Sequence, residues 1–254
     1  LSFDPAALAR RLHDARASAR AIDIDSSDVG SIDAAYGIQS ELIELAGGEP
    51  KGWKVTALSS KDQQKFGVNR AVAGALLSEF VYPSGSQLKL SSFVAPLIEC
   101  EIAFVLGADL PLRSHLYSRG EVEAAIAAVV PVFEFPDSRV GASAGDLMKL
   151  ADVMNNGGLV VGASREDWRR HDLTSTAVRL ELDGRLLVEG SSARILGDPV
   201  LALLALANAY PLPSPLHAGQ IVTTGTCTDP IPVQVGRYIA SFAALGDVEV
   251  RFTT

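Results

Sequence analysis

Apolar and polar positions repeat with two different periods along this chain, and the change from one to the other divides it. Over residues 4–22 the apolar positions Ala7, Leu8, Leu12 and Ala15 form one stripe, with Asp4 as a cap and Pro5 in the first turn; this spacing predicts an amphipathic helix. Ser31 and the Gly47-Gly48 pair bracket a second helix over 31–46, whose inner face is expected to carry Ala34, Ile38, Leu42 and Leu45. Its Tyr36 and Gln39 read as ordinary helix-surface or packing residues. Beyond residue 50 the texture changes to short strand-like runs, at 52–57, 87–90, 97–106, 129–135, 158–162, 176–182, 220–224 and 247–253. Turn signals at Pro83-Ser84-Gly85, Asp183-Gly184 and Pro211-Leu212-Pro213 separate them. Val178–Leu182 and Arg185–Glu189 around Asp183-Gly184 predict a hairpin. Helices return at 119–128 and 198–209. The pattern predicts an α+β protein: a small N-terminal helical lobe over residues 1–60, then a β-rich body over 61–254.

Three glutamates break this patterning. In Leu97–Leu106 alternation puts Ile98, Cys100, Ile102, Phe104 and Leu106 on one face and Glu99, Glu101, Ala103 and Val105 on the other. Glu134 stands alone among Val, Phe and Pro residues in Val129–Pro136. Burying a lone carboxylate costs several kcal/mol unless it is paired, protonated or bound to a cation. Two readings follow. The glutamates share a hard cation, magnesium or manganese, held through oxygen; or Glu99 and Glu101 line a half-solvated face answered by Lys or Arg, with Arg139 paired to Glu134 or Asp137.

Composition narrows the field. The hydrophobic fraction of 48% marks a folded globular chain of 254 residues. A net charge of −8 without a basic cluster argues against nucleic acid and anionic membranes as partners. No run approaches the ~20 apolar residues of a membrane span, and no signal peptide is read. Cys100 and Cys227 form no disulfide framework, so a cytoplasmic location is expected. The chain opens on Leu1, not Met, which implies a few missing native residues. Its four histidines, His13, His115, His171 and His217, lack ligand spacing and read as surface or loop residues. No Gly-rich phosphate loop follows a strand.

A series of short motifs then follows in order: Ala35-Tyr36-x-x-Gln39, Gly52-Trp53-Lys54-Val55-Thr56, Pro96-x-x-Glu99-x-Glu101-Ile102-Ala103-Phe104, Glu134-x-x-Asp137-Ser138-Arg139, Ala151-Asp152 ahead of Gly158-x-x-x-Gly162, Ala218-Gly219 with Thr223-Thr224-Gly225, and Gly236–Phe252. Together they resemble the 2-keto-4-pentenoate hydratase and 4-oxalocrotonate decarboxylase branch of the fumarylacetoacetate hydrolase superfamily, over residues 31–252. The resemblance implies a mixed β-roll with peripheral helices. It implies that Glu99, Glu101 and Glu134 hold a divalent metal, Mg2+ or Mn2+, and that Lys54 and Asp152 are catalytic. Thr224, Gly225 and Thr226 fall in the loop near the substrate carboxylate, and Asn155 is a further substrate-side position.

The activity so implied is a metal-dependent lyase, hydratase or decarboxylase, on an unsaturated 2-oxo acid from aromatic-compound degradation. A homo-oligomer is implied too, with the apolar stripe of the helical lobe as an interface, as is a partner enzyme of the same pathway. Three departures bear on this. Ala71-Val72-Ala73 stands ahead of Gly74 where the family has Pro-Asp, so an active-site acid is absent; Val153 replaces the asparagine of Ala-Asp-Asn, and Asn155 the small hydroxyl residue two positions later. Two other classes therefore stay open: a carbon–carbon hydrolase or oxo-acid decarboxylase of the wider superfamily, and a catalytically weakened relative that binds metal and oxo acid.

Overall fold

Helix α1 (Pro5–Ala17) starts where Asp4 Oδ1 accepts from the Ala6 and Ala7 amides, with Pro5 in the first turn. It stops before the predicted residue 22, because Ser18 caps it and Ala19 turns left-handed (φ 50°). The computed structural model describes residues 4–24, 29–141, 144–209 and 215–254; the turn expected at Pro211–Pro213 lies outside them. Helix α2 (Ile32–Leu45) is capped by Ser31, whose hydroxyl accepts from the Ala34 amide. Its inner face is Ala35, Ile38, Gln39, Leu42 and Ile43; Leu45, expected inside, is exposed. The stripe of α1 (Leu8, Leu12, Ala15) is buried within the chain, so it is not free to serve as an interface between copies.

The chain continues through β1 (Pro50–Thr56), α3 (Ser60–Lys65), β2 (Val72–Leu77), β3 (Val81–Pro83), β4 (Ser86–Lys89) and β5 (Leu97–Leu106). Next come α4 (Arg119–Ala125), β6 (Ile126–Pro136), α5 (Asp146–Ala151), β7 (Asn156–Val161), β8 (Ala177–Leu182) and β9 (Arg185–Ser191). Last are α6 (Val200–Ala207), β10 (Ile221–Thr226), β11 (Ile231–Pro232), β12 (Gly236–Phe242) and β13 (Gly246–Thr253). The α+β expectation holds. The helix predicted over 119–128 gives way at Ile126, where the chain enters β6 three residues before the predicted strand.

Seven strands run β2-β1-β10-β5-β6-β7-β3 in the larger sheet, with β11 added beside β5. The smaller sheet runs β4-β13-β12-β8-β9, and β8–β9 is the predicted hairpin, turned by Asp183 and Gly184 at positive φ. One face of the large sheet (Ile98, Ile102, Phe104, Phe133, Phe135) belongs to the main core, where Phe135 meets Phe252 of β13 edge to face at 5.4 Å. On its other face Leu76 of β2, Ala103, Val130, Val132, Leu159 and Ile221 form a separate cluster, with Val81 of β3 packed against it. Residues from both ends of the strand order thus touch one core, so the sheet is curled around it: a β-roll with an apolar plug.

Tyr36 and Gln39, expected to be ordinary surface or packing residues, tie down the sheet edge. Gln39 is fully buried; its Oε1 accepts from the Ala75 amide at 2.9 Å, and its Nε2 donates to the Leu150 carbonyl at 2.8 Å. The Tyr36 hydroxyl accepts from the Ala73 amide. These bonds satisfy edge-strand groups of β2 that would otherwise be open to another chain.

Candidate active site

The inner face of the roll changes character along β5. Ala103 and Val105 lie beside the apolar plug, whereas Glu101 and Glu99 continue the same face toward one end. Glu99 is directly opposite Glu134 in the β5–β6 ladder, and Lys54 pairs with Thr223 of β10 on one side and Gly74 of β2 on the other. Cross-strand partners share a face, so Lys54, Thr223, Gly74 and the three glutamates all project into the roll. Alternation adds Val72, two residues before Gly74, to that face.

One carboxylate oxygen from each of Glu99, Glu101 and Glu134 lies within 4.8 Å of the others. Glu101 and Glu134 are buried and Glu99 nearly so. Lys54 Nζ donates to Glu134 Oε2 at 2.7 Å and stands 4.0 Å from Glu99 Oε2. Asn156 Nδ2 donates to Glu134 Oε1 at 2.7 Å, and the Gly225 amide donates to Glu101 Oε2 at 2.9 Å. Gly225 presents that amide with φ 107°, at the register shift between Thr223 and Thr226, where a side chain would be strained.

The electrostatics follow from burial. Desolvation first, then Glu134, pushes the Glu101 carboxyl up to about 7; Lys54, the Gly225 amide and the Thr223 hydroxyl oppose the rise. Desolvation likewise raises Glu134 to about 7 against the pull of Lys54, and it raises Glu99. Burial pulls the Lys54 ammonium down, but Glu134, Glu99 and Glu101 outweigh it and hold it above its ordinary value. A lowered lysine, as a proton relay would need, is therefore not what these surroundings alone create.

Fully ionised, the three carboxylates and one ammonium leave two negative charges in excess. One divalent cation cancels that excess, and an all-oxygen donor set suits magnesium or manganese. The residues present thus fit such an ion. Thr223 adds a buried hydroxyl on the same face, turned toward Glu101. Sequence reading passed over Thr223 in favour of its neighbours; its pairing opposite Lys54 becomes visible only through the β1–β10 register.

The other expected site residues are placed differently. Thr224 Oγ1 donates to the Ile102 carbonyl and Thr226 Oγ1 to the Thr228 carbonyl, so both hydroxyls are engaged within the chain; residues 224–226 belong to strand β10, not to a loop. Asp152 is buried in an ion pair with Arg139 at 2.9 Å and has no described hydrogen bond to Lys54 or the glutamates. Asn155 Oδ1 is buried and without a partner. Val153, Met154 and Asn155 all have φ between 46° and 55°, a left-handed turn of three non-glycine residues. It packs where Gly74 lacks a side chain: a Cβ there would stand 2.2 Å from the Val153 carbonyl oxygen. Asn156, which sequence reading did not single out, emerges from this turn to hold Glu134. No histidine belongs to the cluster among the described residues.

The chain is 33% identical over 258 residues to 2-keto-4-pentenoate hydratase from Burkholderia vietnamiensis, covering 98% of this chain and 97% of that protein. It is 31% identical over 242 residues to 4-oxalocrotonate decarboxylase from a Pseudomonas species, covering 90% of each. Among solved structures, 4-oxalocrotonate decarboxylase from Pseudomonas putida G7, complexed with magnesium and adipate, superposes with a TM-score of 0.86 at 27% identity, covering 98% of this chain and 97% of that one. Fumarylpyruvate hydrolase from Pseudomonas aeruginosa shares the fold alone, with a TM-score of 0.56 at 15% identity over 79% of this chain and 88% of that one. No family model matches the sequence. The full-length identities and the curled sheet agree: the chain belongs to the 2-keto-4-pentenoate hydratase and 4-oxalocrotonate decarboxylase family.

Proposed function

We propose that this protein is a divalent-metal-dependent lyase, hydratase or decarboxylase, acting on an unsaturated 2-oxo or 2-hydroxydienoic acid. The observation that carries the reading is the convergence of Glu99, Glu101, Glu134 and Lys54 in the curled sheet with two negative charges to spare. Glu99, Glu101 and Glu134 would hold Mg2+ or Mn2+, which when bound supplies Lewis acidity toward the chelating carboxylate and 2-oxo group of such a substrate. Lys54 holds a positive charge at the centre, where it stabilises negative charge developing on the enolate oxygen. Asn156 and the Gly225 amide fix the glutamates' orientation, and the Thr223 hydroxyl faces Glu101 beside them. Asp152 acts through Arg139, as support for the Val153–Asn155 turn beside the site. Asn155 is proposed to meet the substrate, along with the backbone of Thr224, Gly225 and Thr226.

Hydration adds water across the 4,5 double bond; decarboxylation releases a distal carboxylate as carbon dioxide. Val72 projects where the resemblance places an acid, which favours chemistry that needs no carboxyl proton donor there. The alternative of a catalytically weakened metal- and oxo-acid-binding relative rests on Val72 and Val153.

The lobe at 1–60 and the body at 61–254 are proposed as functional divisions, although β1 lies within the large sheet between β2 and β10. Free, buried Cys100 and Cys227 support a cytoplasmic setting. Self-association is proposed as well; exposed Leu112 and Leu116 offer apolar surface for it, and light scattering should give a mass well above 26.7 kDa. The direct test of function is turnover of 2-hydroxydienoates, with and without a second carboxylate, followed by ultraviolet absorbance with magnesium. Loss of dienoate absorbance with product formation is expected; no turnover of either class would reject a lyase.

A further inference from the structure

Behind the strand that holds Asn156, on the side away from Glu134, lies a second cavity of about 230 Å3. Arg16 from the end of α1, Arg139, Lys89, Phe80 and Gly157 line it, and among the described residues Asp137 is the one acidic member. The Asp137 carboxylate is engaged by the Val94 and Ala95 amides, and Arg139 is paired with Asp152. Arg16, like the exposed Lys89, has no such partner among the described residues. The Arg16 Nη2 donates to the Asn156 carbonyl and its guanidinium stacks over Phe80 at 4.6 Å, and among the described residues no carboxylate is bonded to it. Its Nη1 is sealed from solvent and has no hydrogen-bond partner.

An unsatisfied buried cationic donor is costly. Burial, reinforced by the like charge of Arg139, lowers the Arg16 guanidinium to about 9 despite the opposing pull of Asp152 and Asp137. We propose that this cavity binds a small oxyanion, a carboxylate or an inorganic anion, through the Arg16 guanidinium. The site does not depend on the metal assignment. It is joined to the metal cluster by one residue, since Arg16 holds the Asn156 carbonyl while the Asn156 side chain holds Glu134. An anion drawn to Arg16 therefore acts on the backbone that carries a Glu134 partner.

The test titrates the full chain, in EDTA and an anion-poor buffer, with acetate, with phosphate and with chloride in separate calorimetric runs. Saturable binding of acetate or phosphate is expected, and which of them binds more tightly identifies the carboxylate or inorganic source. Arg16→Met should weaken it about ten-fold or more, as loss of a charge-assisted bond implies. Absence of saturable oxyanion binding to the wild type, preference for chloride alone, or unchanged binding in Arg16→Met would overturn the proposal. Should Arg16→Met fail to fold, wild-type crystals soaked in selenate decide. An anomalous peak in the cavity beside the Arg16 guanidinium is expected, and its absence overturns the site.

Discussion

Replacing Lys54 by Met removes the positive charge at the centre of the roll while nearly preserving length and volume. In the wild type the ammonium lies 2.7 Å from Glu134 and 4.0 Å from Glu99, in surroundings almost closed to solvent. Removing one partner of a buried ion pair typically costs about 3–5 kcal/mol, because the other charge stays behind uncompensated. For a chain of this size each kcal/mol moves the midpoint by about 2–4 °C, so the metal-free variant should melt roughly 6–20 °C lower. The glutamates have one escape, which is to bind protons. Glu101 and Glu134 already sit near 7, and without Lys54 they rise further, so the deficit should be widest near pH 8 and shrink toward pH 6. Calorimetry in EDTA at both pH values measures it, and saturating magnesium at pH 8 should recover much of the loss. Turnover should fall about 10²–10⁴-fold even with metal restored, as for loss of a positioned charge or proton donor. A Lys54→Met protein as stable as wild type in EDTA at pH 8 would refute the pairing.

Three further outcomes follow from the same geometry. The folded-state carboxyls of Glu101 and Glu134 are raised from 4.5 to about 7, so they favour the metal-free fold at low pH, and that contribution is lost as pH rises through about 7. Denaturant titration in EDTA should therefore show wild type losing stability relative to Glu101→Gln between about pH 5 and pH 8; parallel curves would contradict it. Asn156→Ala leaves Glu134 Oε1 without its donor and should weaken magnesium binding measurably while the fold persists; unchanged affinity by calorimetry would remove Asn156 from the account. Val72→Asp puts a carboxyl beside Gly74 on the face of Lys54 and should raise hydration of 2-hydroxypenta-2,4-dienoate, which the wild type is expected to turn over slowly. Wild-type turnover of about 10 s⁻¹ or more on that compound would show the acid to be dispensable.

The parts of the fold carried by periodicity were legible in the sequence. Alternation placed β5 at its observed limits, Asp183-Gly184 announced the β8–β9 hairpin, and the two N-terminal helices carry the caps their sequences supply. Glu134 stood out because a lone acid in an apolar run demands an explanation, and the ladder answers it by setting Glu99 opposite. What stayed hidden depends on contacts between distant segments. Strand β2 is apolar throughout and shows no alternation, because it is buried on both sides. Gln39 reads as a helix-surface residue until β2 is laid against it. Thr223 and Asn156 need cross-strand register and a left-handed turn that local propensity disfavours. Asp152, singled out by motif, is spoken for by Arg139, which lies 13 residues earlier and whose burial the sequence does not announce.

The central claim is that Glu99, Glu101 and Glu134 together hold one divalent cation. Titration of EDTA-stripped protein with Mn2+, followed by calorimetry and by the paramagnetic resonance signal of free Mn2+, tests it most directly. One Mn2+ per chain is expected, with binding severely weakened in each of Glu99→Gln, Glu101→Gln and Glu134→Gln while each variant keeps its folded circular dichroism spectrum. Wild-type affinity in folded Glu101→Gln, or no stoichiometric binding to the wild type, would contradict it.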